Sequence, residues 1–141
     1  MKKIVLSLII GFCFLGVSDF AQGQVIKVGL GAEFRSEPPV GMIGKATYRL
    51  DFIHKTLRSS VDMMVIPELE ANLDMHYSFF SNFDINAYGI GGLNIENRLG
   101  ANVGAGLMYG FTEQILGFWE SKYIIKNNPE ADIKIGILYK L

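Results

Sequence analysis

From Gln24 onward, apolar and polar residues alternate with a period of two, in segments of about ten residues separated by short polar turns. In GFWESKYII (117–125), Trp119, Tyr123 and Ile125 share one parity with Gly117 and Ser121, while Glu120 and Lys122 share the other with Phe118 and Ile124. Successive side chains of a strand point to opposite faces, so each such segment carries one apolar and one polar face. The segments read as VIKVGLGAEF (25–34), IGKATYRLDF (43–52), LRSSVDMMVI (57–66), EANLDMHYSFF (70–80), FDINAYGIGGLNI (83–95), GANVGAGLMYGF (100–111), EQILGFWESKYII (113–125) and ADIKIGILYKL (131–141). Convincing helix periodicity is absent. An even number of short alternating strands predicts an all-β fold, an eight-stranded antiparallel up-and-down barrel that fills residues 24–141 as a single domain.

Alternation alone does not say which face meets water. The apolar parity runs through Ile26, Val28, Leu30, Ala32 and Phe34, then Ala46, Tyr48, Leu50 and Phe52, then Val61, Met63 and Val65. It continues with Leu73, Met75, Tyr77 and Phe79, with Phe83, Ile85 and Ala87, and with Val103, Ala105, Leu107 and Tyr109. Ile115, Trp119, Tyr123, Ile125, Ile133, Ile135, Ile137, Tyr139 and Leu141 complete it. No charged residue interrupts this series. The opposite parity carries Lys27, Glu33, Lys45, Arg49, Asp51, Arg58, Asp62, Asn72, Asp74, His76, Asn86, Glu120, Lys122, Asp132 and Lys134, and its cations and carboxylates are equal in number. Three details favour lipid outside and charge inside. The polar face balances in sign, as an enclosed face requires. Tyr and Phe gather toward strand ends (Phe34, Phe52, Phe79, Phe83, Tyr109, Tyr123, Tyr139), as an interfacial girdle does. Gly29, Gly31, Gly44, Gly89, Gly91, Gly104 and Gly106 thin the strands where long luminal side chains need room. A charge on a lipid face would cost about 2–4 kcal/mol at the midplane. The fold expected is therefore a transmembrane β-barrel.

Composition adds a compartment. Residues 1–23 differ from the rest: Lys2 and Lys3 precede an apolar run from Ile4 to Val17, and Ala21 and Gly23 stand at −3 and −1 of a cut before Gln24. This is the pattern of a cleavable export signal, and the run is shorter than the roughly 20 residues that span a bilayer. The one cysteine, Cys13, lies inside it without a lipoprotein cleavage box, so residues 24–141 have no disulfide. The formal net charge of −1 gives no reason to expect nucleic acid as a partner.

The segments NLDMHYSFF, INAYGIGGLNI, GANVGAGLMYGF, FWESKYII and DIKIGILYKL resemble those of the small outer-membrane β-barrel proteins of the porin-like, OmpA/OmpX-type superfamily. The shared traits are a glycine-rich penultimate hairpin, an aromatic-x-Glu-x-Lys-Tyr-like strand around Trp119, Glu120, Lys122 and Tyr123, and a last strand closing on Tyr139 and Leu141, where Phe is more usual than Leu. The resemblance implies a bacterial outer-membrane location reached by signal-dependent export and the barrel-assembly machinery. It implies lipid and lipopolysaccharide as surroundings, a monomer, and both termini on the periplasmic side. The outer loops would then be 35–41, around Pro67–Leu69, 96–100 and 126–131, all short, which weighs against an adhesin.

Eight strands leave a lumen just wide enough to be filled by side chains. A luminal charge network of Lys27, Glu33, Lys45, Arg49, Asp51, Arg58, Asp62, Asp74, His76, Glu120, Lys122 and Lys134 is expected to plug it, which fits a structural or small porin-like role without catalysis. The sharpest enzymatic motif is His76-Tyr77-Ser78, which resembles the His-x-Ser of lipid A deacylases; there a histidine takes the serine proton and a Glu orients the imidazole. Here both residues share the luminal parity, and no Glu follows on the neighbouring strand at a matching depth, so His76 and Ser78 are expected to be structural. A third alternative is a periplasmic lipocalin-like binder with an apolar cavity. Two histidines and no cysteine beyond the signal make a metal site improbable, and no cofactor is expected.

Overall fold

The computed structural model describes residues 26–36, 39–51, 53–96 and 99–141. The expected signal (1–23) and Phe52 lie outside the described residues. Eight strands follow one another: β1 (Ile26–Phe34), β2 (Val40–Arg49), β3 (Leu57–Ile66), β4 (Glu70–Ser81), β5 (Ile85–Ile95), β6 (Leu99–Gly110), β7 (Ile115–Ile125) and β8 (Glu130–Lys140). Each pairs antiparallel with its chain neighbours, and β8 pairs with β1 to close the ring. The all-β, up-and-down barrel expected from the alternation is the fold observed.

The parities fall as the lipid-outside reading requires. Trp119, Tyr77 and Ile135 are 43%, 54% and 44% exposed on the outer wall, whereas Glu120 and Lys122 are 0% and 2% exposed inside. Two β-bulges allow consecutive apolar residues to face outward. One lies in the β2–β3 ladder and leaves Val65 and Ile66 both exposed; the other, between Ser78 and Phe80, does the same for Phe79 and Phe80.

Two expectations about the walls are corrected. Strand β2 begins at Val40 and ends at Arg49, three residues earlier than the alternation suggested. The pairing of Phe34 with Val40 draws those residues into the ladder, and Leu50 opens a turn in which its amide bonds Leu57 O while its own carbonyl accepts from Ile53 and His54. Asp51 is therefore an exposed turn residue. The glycines also divide. A Cβ on Gly44, Gly89 or Gly91 would meet nothing within 4 Å, so these three do not relieve luminal crowding. Gly106, by contrast, pairs with Tyr88, whose ring would stand 2.7 Å from an added Cβ. Gly136, the partner of both Phe118 and Gly31, likewise makes room for the Phe118 ring. An aromatic laid over a cross-strand glycine closes the gap that the missing side chain leaves.

The lumen is not wholly polar. Ile43, Met64, Tyr88, Ile90, Met108, Phe118 and Leu138 form one buried cluster, with Leu116 packed against it. The outward aromatics are unevenly spread. Phe79, Phe80, Phe83, Tyr109, Phe111 and Tyr139 are exposed near the end that carries the start of β1 and the end of β8, while Phe34 and Tyr123 lie toward the opposite end. Turn chemistry supports the register: Thr112 Oγ1 accepts from the amides of Gln114 (3.3 Å) and Ile115 (3.0 Å), and Asn82 Oδ1 accepts from Phe83 N (2.6 Å).

Candidate functional site: the barrel lumen

The luminal positions of each strand recur every second residue, and the antiparallel ladders bring them to common depths. At the centre stands Asp62 on β3. Its Oδ1 accepts from Lys45 Nζ at 2.8 Å, and its Oδ2 from Lys122 Nζ at 3.2 Å and Lys134 Nζ at 3.1 Å. Ser60 Oγ donates to the same carboxylate at 3.1 Å. The lysines reach onward: Lys45 to Glu120 (2.8 Å), Lys122 to Asp74 (2.6 Å), and Lys134 to Glu33 (3.2 Å) and Asp132 (3.8 Å). All eight of these charged residues are at most 3% exposed. Such groups cost several kcal/mol each to desolvate, and their mutual pairing offsets that cost without making a large net contribution.

Toward the mouth opposite the termini, the network turns to amides and arginine. Glu70 accepts from Arg35 Nη1 (2.7 Å), Asn72 Nδ2 (3.1 Å) and Asn94 Nδ2, and Arg35 also pairs with Glu33. Asn102 Nδ2 donates to Asn72 Oδ1 and Asp74 Oδ1, both at 2.9 Å, which joins this layer to the central one. Above it, Lys126 bonds Glu96 at 3.0 Å and lies 3.4 Å from Glu130, tying two loops together. Partial burial works to lower the Lys126 pKa. The hydrogen bond and charge of Glu96, with the charge of Glu130, outweigh it, so the ammonium is held above the ordinary lysine value.

The predicted network is thus brought together only in part. Glu33, Lys45, Asp62, Asp74, Glu120, Lys122 and Lys134 form one connected set. Lys27, Arg49, Asp51 and Arg58 lie apart at the terminal mouth, so the sign balance of the whole face hides a segregation along the axis. Among them Arg49 Nε bonds Asp51 at 3.0 Å. Arg35, Glu70, Tyr88, Asn94 and Asn102 were missed. Arg35 continues the luminal parity of β1 one residue past the expected segment 25–34, and Glu70 opens the expected segment 70–80 on the parity of Asn72 and Asp74; that shared parity is the available signal.

His76 and Ser78 both face the lumen, as expected. The His76 ring stacks on Tyr88 at 4.5 Å between centroids, and neither ring nitrogen has a hydrogen-bond partner among the described residues. Ser78 Oγ donates to Asn86 Oδ1 at 3.1 Å, so the serine is engaged elsewhere than on the imidazole. A Glu does approach the histidine, from across the lumen: Glu120 Oε1 lies 3.8 Å from Nε2 and is held by Tyr88 OH at 2.8 Å. Among the described residues no cluster of three or more His, Cys, Asp and Glu could hold a metal ion.

No protein-family model matches the chain, and no curated protein matches it. Solved structures do. A de novo designed transmembrane β-barrel superposes with a TM-score of 0.67 at 20% identity, covering 84% of this chain and 96% of the design. The N-terminal β-barrel domain of Pseudomonas aeruginosa OprF gives 0.63 at 17% identity, covering 85% of this chain and 98% of that domain. Ail, the attachment invasion locus protein of Yersinia pestis, gives 0.58 at 12% identity, with 84% and 97% covered. At these identities the likeness is one of fold, and the fold is that of the small eight-stranded outer-membrane barrels.

Proposed function

We propose that this chain, folded like the eight-stranded outer-membrane barrels, is a bacterial outer-membrane protein with a structural role, its lumen plugged by paired side chains. The membrane assignment is supported by an outer wall on which Leu30, Phe79, Val103, Trp119 and Ile137 are each at least 43% exposed while the charged residues of the same strands turn inward. An apolar belt of this kind is stable against hydrocarbon and a liability in water. The observation that carries the plug is Asp62, which three lysines from β2, β7 and β8 clasp at 2.8–3.2 Å across the middle of the ring. Four long or charged side chains converging on one point leave little room for a hydrated ion to pass.

Reconstitution in planar bilayers tests the role. The wild-type protein is expected to give no steady current steps in concentrated salt, and Asp62→Ala is expected to admit ions. Steady wild-type conductance would replace the plug with the small porin-like reading. Location is tested by fractionation and by gel mobility with and without heating. Recovery in the outer membrane with a heat-dependent mobility supports the assignment, and a detergent-free soluble protein sinks it. The engagement of Ser78 with Asn86 argues against a lipid hydrolase. Ser78→Ala is expected to leave the acylation of the surface lipid unchanged.

A further inference from the structure

At the mouth bearing the start of β1 and the end of β8, four cations meet from contiguous strands: Lys27 on β1, Arg49 on β2, Arg58 on β3 and Lys140 on β8. Their arrangement is costly. Lys27 stands directly opposite Lys140 in the β1–β8 ladder, and Arg49 directly opposite Arg58 in the β2–β3 ladder. Like charges at directly opposed positions destabilise a sheet. Among the described residues, Asp51 is the one carboxylate in ion-pair contact with any of the four, 3.0 Å from Arg49 Nε. The four cations thus share a single ion-pairing carboxylate among the described residues.

Lys27 is 8% exposed, and among the described residues its Nζ finds as hydrogen-bond partner the Sδ of Met108, at 3.3 Å. Arg58 Nη1 lies 3.8 Å from the same sulfur. A thioether is a weak acceptor and neutralises neither cation. Two donors of different strands therefore converge on one uncharged sulfur, and a buried charge left this way is costly unless something pairs with it.

From this convergence we infer that the terminal mouth is a binding site for a phosphate-bearing anion. A phosphate offers several strong acceptor oxygens and up to two negative charges. The Arg58 guanidinium would take two of those oxygens, Lys27 would act as a point charge from the floor, and Arg49 and Lys140 would close the rim. The site is independent of whether the lumen conducts. Its phosphate could come from free solute or from a lipid head group, and the two sources are separable.

Met108 is a built-in reporter because its sulfur lies between the two inner cations. The folded protein, in a neutral maltoside detergent and with its methionine methyls labelled with carbon-13, is titrated with inorganic phosphate at fixed ionic strength. The Met108 methyl signal is expected to shift saturably while that of Met64, buried in the other half of the lumen, stays in place. Lys27→Gln and Arg58→Gln should each weaken the response by about tenfold to hundredfold, the loss of one charge-assisted contact. Unchanged heat-dependent gel mobility of each variant shows that it still folds. Transfer to nanodiscs of phosphatidylglycerol against phosphatidylcholine forms the second arm. A Met108 shift there, with none from inorganic phosphate, keeps the site and assigns it to a lipid head group. No Met108 shift in either arm, a non-saturating one, or one that both variants reproduce at wild-type strength would overturn the inference.

Discussion

Lys122 Nζ lies 3.2 Å from Asp62 Oδ2, although β7 and β3, which carry them, stand on opposite sides of the eight-strand ring. The pair ties one wall to the other through the lumen, and Lys45 and Lys134 share the same carboxylate. Removing that carboxylate leaves three buried ammonium groups facing one another. Asp62→Ala is expected to cost about 3–5 kcal/mol, the usual consequence of stripping one partner from a buried ionic cluster. Urea unfolding of the folded barrel in detergent measures it. A change under about 1 kcal/mol would show that water already screens the cluster.

The glycines separate into two experimental classes. Gly106→Ala places a Cβ 2.7 Å from the Tyr88 ring, which is wedged under His76 and hydrogen-bonded to Glu120. Overpacking of this kind costs about 1–3 kcal/mol. Gly44→Ala and Gly89→Ala open onto empty space at the outer wall, and reducing the freedom of the unfolded chain should stabilise by about 0.4–1 kcal/mol. Equal effects in the two classes, read from the same unfolding curves, would refute this division of roles.

The barrel was legible in the sequence because its two faces differ so strongly. Parity separates Trp119 from Glu120 and Ile135 from Lys134, the sign balance of the charged face and the placing of the aromatics point to that face as the inner wall, and the structure agrees. Less of the lumen could be read. Phe118 shares the parity of Glu120 and Leu138 that of Lys134, so an apolar luminal cluster was implied by position but masked by the charges beside it. Parity gives the face and not the depth. Depth comes from the cross-strand register, which sets Arg49 against Arg58 and Lys27 against Lys140 and so gathers four cations at one mouth while the total of the polar face stays balanced. For the same reason the approach of Glu120 to His76 was invisible: these residues are three strands apart in the ring and 44 apart in the chain, as the difference of their numbers shows.

The outer wall tests the membrane assignment residue by residue. Ile135 is 44% exposed and pairs with Trp119 in mid-strand, whereas Val40, 55% exposed, begins β2. In a bilayer, Ile135→Arg should cost about 2–4 kcal/mol and Val40→Arg no more than about 1 kcal/mol, because the penalty falls toward the interfaces. Unfolding in lipid vesicles gives both values. The same small cost at both positions would mean that no hydrocarbon surrounds this wall.

The tie between the β5–β6 and β7–β8 loops carries its own pH signature. Lys126 is partly buried, which alone would lower its pKa, but the hydrogen bond to Glu96 and the charges of Glu96 and Glu130 hold it above the ordinary value. A cation with a raised folded-state pKa favours the folded form below its unfolded pKa, near about 10.4, and that contribution disappears as the pH climbs through the higher folded value. The pair is partly solvated, so the effect is modest and falls with added salt. Wild-type stability should therefore drop more steeply than that of Lys126→Gln above about pH 10, with the difference between the two constant at neutral pH and shrinking through the alkaline range. Unfolding midpoints at closely spaced alkaline pH values, at low and high salt, read this directly. Parallel curves for the two proteins would mean that the loops are not joined through this ammonium.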